Sequence, residues 1–283
     1  MSSLRHALVP ASLLAAFAPC LPAAEAAPAR ELLQPPKQTL PGPITDRLAL
    51  RGMYYGSAIA TTVRYDSAAG VPGTLLAAED SLGLADNLDQ GAVDLVFRML
   101  ERHRIRADYQ QQTRNGDLVI DAPIQFGNDS FLSGERVVSH MDLRRFGLAY
   151  AYSLVRNDKL EVGLGLGINL LQLEGSLEAP ARFVREQLDG AGPFPTLAMD
   201  ATWQFMRRFS VNAAVQFLAG DLGEVEGSYS AVSADVQFRP LRNLAVGAGF
   251  ARTRYRIDST DPDTAGYFKL RYQGPQLFLR VSY

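Results

Sequence analysis

Residues 159–175 read "KLEVGLGLGINLLQLEG", with glycines at 163, 165 and 167 and an aliphatic side chain at every even position from Leu160 to Leu170. The spacing invites a phosphate-binding reading, but the dinucleotide fingerprint needs its third glycine at 168, where Ile168 stands. A helix fares no better. It would spread the leucines around its whole circumference, and each mid-helix glycine would cost roughly 1 kcal/mol relative to alanine. A strand with one aliphatic face and one small or polar face accounts for the whole stretch.

The same period of two recurs along the chain. In "RRFGLAYAYSL", Phe146, Leu148, Tyr150, Tyr152 and Leu154 oppose Gly147, Ala149, Ala151 and Ser153. "TLAMDATWQF", "FSVNAAVQF", "AVSADVQFR", "LAVGAGF" and "VDLVFRM" repeat it. Short links at 100–104, 155–159, 206–209 and 239–243 alternate with long polar stretches at 114–140, 175–192, 220–227 and 257–265. That rhythm is a meander of antiparallel hairpins.

A soluble sandwich also alternates, but its wet face is usually rich in long charged side chains. Here that face is mostly Gly, Ala, Ser, Thr, Asn and Gln, which suits the crowded inside of a narrow barrel. In a bilayer a strand protein must close on itself, so that every backbone group is paired. Its lipid face then carries an apolar band with aromatics at the rim. Tyr152, Trp203, Phe205, Phe209 and Phe238 cluster near the short turns and read as that aromatic girdle.

The N-terminus fits export. "MSSLRH" is a short basic region, "ALVPASLLAAFAPCLPAA" is apolar, and Ala24-Glu25-Ala26 has the form a signal peptidase needs, so residues 1–26 read as a signal peptide. Residues 27–46, proline-rich and without period, read as a periplasmic lead-in, and 47–283 as the barrel. The one cysteine, Cys20, lies in the signal, preceded by Pro19 rather than the small residue that lipidation requires. A net charge of −2 gives no case for nucleic acid.

The chain closes on "GPQLFLRVSY", with Leu277, Leu279, Val281 and the final Tyr283 on one face. This resembles the C-terminal signal of bacterial outer-membrane barrels. The pattern from about Leu48 onward is similar to the small-barrel group that includes OmpW, OmpX and the membrane domain of OmpA. It also resembles proteobacterial barrels carrying segments like "EDSLGL" (79–84) and "IQFG" (124–127). The resemblance implies an all-β transmembrane meander barrel in the outer membrane of a Gram-negative bacterium, most economically a monomer. Its partners would be outer-membrane lipids and lipopolysaccharide, with barrel-assembly machinery and periplasmic chaperones during biogenesis. Nine strands can be placed from Gly91 onward, and an even total makes ten with one long strand at 48–66; eight and twelve are the alternatives. On this count residues 70–84 form an extracellular hairpin or loop.

The non-aliphatic face sends Asp94, Arg98, Arg106, Asp108, Glu161, Asp200, Asp235, Arg239 and Arg280 into the lumen. Mixed charges in so narrow a space are expected to pair, since an unpaired buried charge is costly. A plugged lumen, with a structural, permeability or surface-interaction role, is the leading expectation. A narrow channel for small polar solutes is the second, and a lipid A or peptide hydrolase the third. An enzyme would need a histidine with a partner near the outer rim. His140 with Asp142 is the one such pair, facing outward; His103 sits in a short turn and His6 in the signal. "DSTDPDTAG" (258–266) offers Asp258, Asp261 and Asp263 but lacks the closing glutamate of a calcium loop. No metal or cofactor is expected. Arg252, Arg254 and Arg256 step along the outward face above Phe250, placed to meet lipopolysaccharide phosphates.

Overall fold

The structure, a computed structural model, describes residues 42–221, 225–260 and 265–283; the segment expected to be a signal peptide and most of the expected lead-in lie outside these. Ten long strands form the wall: β1 (Leu48–Tyr65), β3 (Asn87–Leu100), β4 (His103–Val119), β7 (Arg136–Arg156), β8 (Leu160–Ala179), β9 (Val184–Met206), β10 (Phe209–Asp221), β11 (Val225–Leu241), β12 (Leu244–Ser259) and β13 (Gly266–Ser282). Between them lie β2 (Leu76–Ala77), α1 (Ala78–Leu82), β5 (Ile124–Phe126) and β6 (Asp129–Phe131). Each wall strand pairs antiparallel with its neighbours in chain order, and β13 pairs back onto β1, from Ala49↔Ser282 to Tyr65↔Gly266. The barrel is closed, and no edge of the sheet is left to the lipid.

The outward residues of the lower wall form a belt of exposed apolar side chains, among them Leu50, Phe97, Leu148, Leu166, Met199 and Val281. A soluble monomer rarely exposes more than a few hundred Å² of such surface in one patch. Here the patch encircles the molecule, so its solvent is hydrocarbon. The girdle stands at the short-turn end. Trp203, Phe205, Phe209 and Phe238 form a chain of rings with successive centroids 5.6, 6.1 and 4.9 Å apart. Tyr152 packs against His103 at 5.2 Å.

Above the belt the alternation inverts. On β8, Leu166, Ile168 and Leu170 point outward, yet Leu171, Leu173 and Leu177 are buried inside the barrel. The change falls within the dipeptide Leu170-Leu171. Water rather than lipid bathes the outer wall there, so Gln172, Glu174 and Glu178 take the outside and the apolar side chains turn in. The strands therefore run further than the apolar-out pattern suggests: β7, β8 and β9 reach 21, 20 and 23 residues, and the long polar stretches are partly strand.

Residues 70–84, expected as an extracellular hairpin or loop, add no strand to the wall and instead hold β2 and α1. β3 starts low on the wall, leaving a notch between β1 and β4. β2 pairs with Thr62 and Val63 of β1 there, and α1 follows with Ala78 and Leu82 buried. Glu79 accepts hydrogen bonds from the Thr61 N–H (2.9 Å) and from Arg114 (2.7 Å), satisfying a backbone group that β3 leaves unpaired. The segment fills the notch because Leu76, Ala78, Leu82 and Leu84 join the apolar core that occupies the upper barrel.

Candidate functional site

The lumen is where the chemistry-bearing side chains converge. At the short-turn mouth, residues 42–46 turn beneath the barrel, with the Thr45 and Asp46 N–H groups donating to Gly42 O at 3.0 and 3.1 Å, and Ile44 is buried. Asp46 then accepts from Arg239 at 3.1 Å and from Arg280 at 3.1 Å, and Arg239 also reaches Ser282 Oγ at 3.1 Å.

The next layer centres on Glu161, at 1 % exposure the most deeply buried carboxylate of the lumen. Arg98 grips it with two nitrogens at 2.8 Å each, Ser153 Oγ donates at 2.5 Å, and Arg104 Nε stands 3.7 Å away. Arg104 turns its other end to Asp200 at 2.9 Å. Gly163 lies directly beneath that pair: a Cβ there would come within 2.2 Å of Arg104 Nη2. Gly147 makes the same allowance for Asp108, whose Oδ1 would lie 2.5 Å from a Cβ. Gly163 and Gly147 are thus space for ion pairs, whereas a Cβ at Gly165 would meet Tyr150 O and Ala151, and one at Gly167 would meet Thr196 and Ala149.

A third layer runs across the barrel. Asp94 meets Arg106 at 2.7 Å and Arg51 at 3.3 Å; Arg51 reaches over to Asp235 at 3.1 Å, and Asp235 accepts from Asn212 at 2.6 Å. Arg145 pairs with Asp108 and donates to Asn169 at 2.9 Å. Higher still, Tyr272 OH and Gln110 are joined at 3.0 Å, Gln110 and Gln90 at 2.8 Å, and Gln90 and Ser57 at 2.8 Å. A cavity of about 90 Å³ lies at this level, lined by Tyr55, Arg106, Arg145, Gln216, Tyr229 and Tyr272 among others. Above it lies the apolar core, with Tyr255, Leu270, Met141 and Leu173 among its buried side chains.

All nine charged residues assigned to the lumen by alternation face inward, and each meets an opposite charge. Arg51, Arg104 and Arg145 share the inward phase of their strands and complete the pairs, although alternation alone did not single them out. Asp46 carried no signal, since it precedes the first strand.

The outer rim is arranged differently. His140 Nδ1 lies 2.6 Å from Asn115 Oδ1. Asp142 takes a hydrogen bond from Thr113 at 2.9 Å and pairs with Arg144. The two rim residues are thus engaged with different partners. Asp261 and Asp263 lie outside the described residues; among those described, no cluster of three or more His, Cys, Asp or Glu side chains is placed to hold a metal. Loop contacts also stitch the rim together: Arg182 grips Glu135 at 2.6 and 2.7 Å and donates to Ser130 O at 2.7 Å. With the Leu132 N–H also donating to it, the Glu135 carboxyl is held down at about 2, chiefly by the Arg182 hydrogen bonds.

No protein-family model matches the sequence, and no curated protein does. A solved structure shares the fold. The outer membrane protease OmpT of Escherichia coli superposes with a TM-score of 0.54 at 9% identity, over 83% of this chain and 96% of that one. The transport unit of the Escherichia coli autotransporter AIDA-I gives 0.40 at 8% identity, over 89% and 92%. The toluene transporter TodX of Pseudomonas putida gives 0.31 at 9%, over 84% and 90%. The fold is that of a Gram-negative outer-membrane β-barrel, and the apolar belt is the surface that such a barrel turns to lipid.

Proposed function

We propose that this outer-membrane β-barrel is a sealed component of the cell envelope, passing no solute and working through its outer end. The observation that carries the reading is the stack of ion pairs from Asp46 to Arg145, roofed by the apolar core. A conducting pore needs a continuous wet path, and these layers set paired charges across the bore. The strands that rise above the belt, β7, β8 and β9, form a firm platform suited to surface contacts or to bracing the membrane.

Planar-bilayer recording tests this directly. The folded protein should give no unitary current steps, and liposomes containing it should not swell in small sugars. A steady conductance that falls on reversing the charge of Asp94 or Asp235 would replace the sealed reading with a narrow channel for small polar solutes. The 90 Å³ cavity is the feature that favours that second reading. A hydrolase would draw on His140, whose hydrogen-bond partner here is Asn115 rather than an acid. His140→Ala is accordingly expected to leave the lipid A profile and peptide turnover unchanged.

A further inference from the structure

We propose that the outer wall over β12, β13, β1 and β3 binds one lipopolysaccharide molecule, its lipid A phosphates on a ladder of five cations and an acyl chain in the groove below. This concerns the lipid-facing surface and goes beyond the sealed-lumen reading.

The ladder comes from register. Arg252, Arg254 and Arg256 alternate outward on β12, and pairing with β13 sets Arg254 opposite Arg271 and Arg256 opposite Lys269. All five side chains are exposed. Like charges placed directly opposite across two strands destabilise a sheet. Among the described residues no ion pair reaches any of the five; Arg256 merely lies over the Tyr267 ring at 5.7 Å. Their neighbours are small: Ser228 and Ser230 flank Arg256 and Arg254 on β11, and Ala60 and Thr62 flank Arg271 and Lys269 on β1. The nearest acids along the ladder, Glu226 and Asp258, pair with each other in register one outward step higher. The surface is thus a cationic shelf open to an anion of more than one charge, and guanidinium groups suit phosphate oxygens.

The groove supplies the other half of an amphiphile's footprint. It is a shallow, largely open depression of about 940 Å³ on the wall, lined by Gly52, Tyr54, Gly91, Val93, Leu277 and Leu279 among others. A Cβ built at Gly52 or Gly91 would meet nothing within 4 Å, so the floor is open at both. Leu277 and Leu279 lie on the same outward face of β13 as Arg271 and Lys269. From Leu277 to Arg271 is about 20 Å along a strand. Asp89, Gln111 and Thr113, also lining it, mark its polar end. Apolar groove below and cations above, at the long-loop end, match the phosphorylated glycolipid of the outer leaflet.

The test uses the folded full-length barrel in neutral detergent and native mass spectrometry with bisphosphorylated lipid A, dephosphorylated lipid A and phosphatidylglycerol as probes. One lipid A should bind per barrel, at least tenfold more tightly than either of the others. The double variant Arg254→Glu/Arg271→Glu should lose that preference, and Gly91→Leu, which fills the groove, should weaken binding independently. Heat-modifiable migration verifies that each variant is folded, and Arg252→Ala with Arg256→Ala serves if the charge reversal does not assemble. Undiminished binding by the folded charge variants would overturn the proposal. So would equal affinity for phosphatidylglycerol, which would make the patch a general anionic-lipid surface, or capture of inorganic phosphate alone with no requirement for the acyl chains.

Discussion

Glu161→Ala is expected to be among the most damaging single substitutions in the wall. The carboxylate is 1 % exposed and takes both nitrogens of Arg98 at 2.8 Å as well as the Ser153 hydroxyl. Without it, Arg98 keeps only the Glu101 carbonyl at 2.8 Å and the distant Asp46 carbonyl at 3.4 Å, and Arg104 loses half its partners. Removing one member of a buried pair costs about 3–5 kcal/mol, because the other charge is stranded. Glu161→Gln, which preserves shape and the Ser153 contact, should cost roughly 1.5–3 kcal/mol, the range for a hydrogen bond to a charged group. Adding Arg98→Met to Glu161→Gln should recover part of the loss, with a coupling of about 2 kcal/mol. The protein carries its own reporter: Trp203, the single tryptophan, pairs with Leu160, the residue before Glu161. Urea unfolding in detergent, followed by its emission, measures all four corners of the cycle. If Glu161→Ala shifts stability by less than about 0.5 kcal/mol, the level of an ordinary surface change, or if the double variant is merely additive, the pair is not holding the lumen.

Gly163→Ala, by intruding on Arg104 and Asp200, should destabilise the barrel by about 1–3 kcal/mol in the same assay. Gly175→Ala on the same strand, whose nearest neighbour would be 3.8 Å away, should stay near the wild type. At the rim, the Glu135 carboxyl sits at about 2 in the folded protein against an ordinary 4.5. Its contribution is therefore complete above about pH 4.5 and is lost as pH falls through about 2. Hydrogen exchange of the 180–183 turn should stay slow at pH 4 and quicken near pH 2, whereas Glu135→Gln should quicken it at every pH.

The sequence was most legible where the environment is simplest. Lipid touches only the outer face of the belt, so Leu160 to Leu170 announce their strand without reference to the rest of the molecule. Legibility ends at Leu171, where the surroundings change and the phase inverts; one fixed outward phase could not follow strands through both solvents. The helical segment at 78–82 owes its place to a notch left by β3, a tertiary cause with no local trace. Arg104 was within reach, since it shares the phase of Arg106 and Asp108. The partnership of Asp46 with Arg280 was not, as the two stand 234 positions apart.

That separation has a consequence for how the molecule comes together. Asp46 lies ahead of the first strand, while its two partners arrive on β11 and on β13, the strand that zips onto β1. Until the ring shuts, Arg239 and Arg280 carry like charges toward the same mouth with nothing to quiet them. Closing the ring brings Asp46 beneath both at once. The aspartate thus acts as a clasp that fastens only on a finished barrel, so that a chain stalled one hairpin short remains electrostatically unlocked.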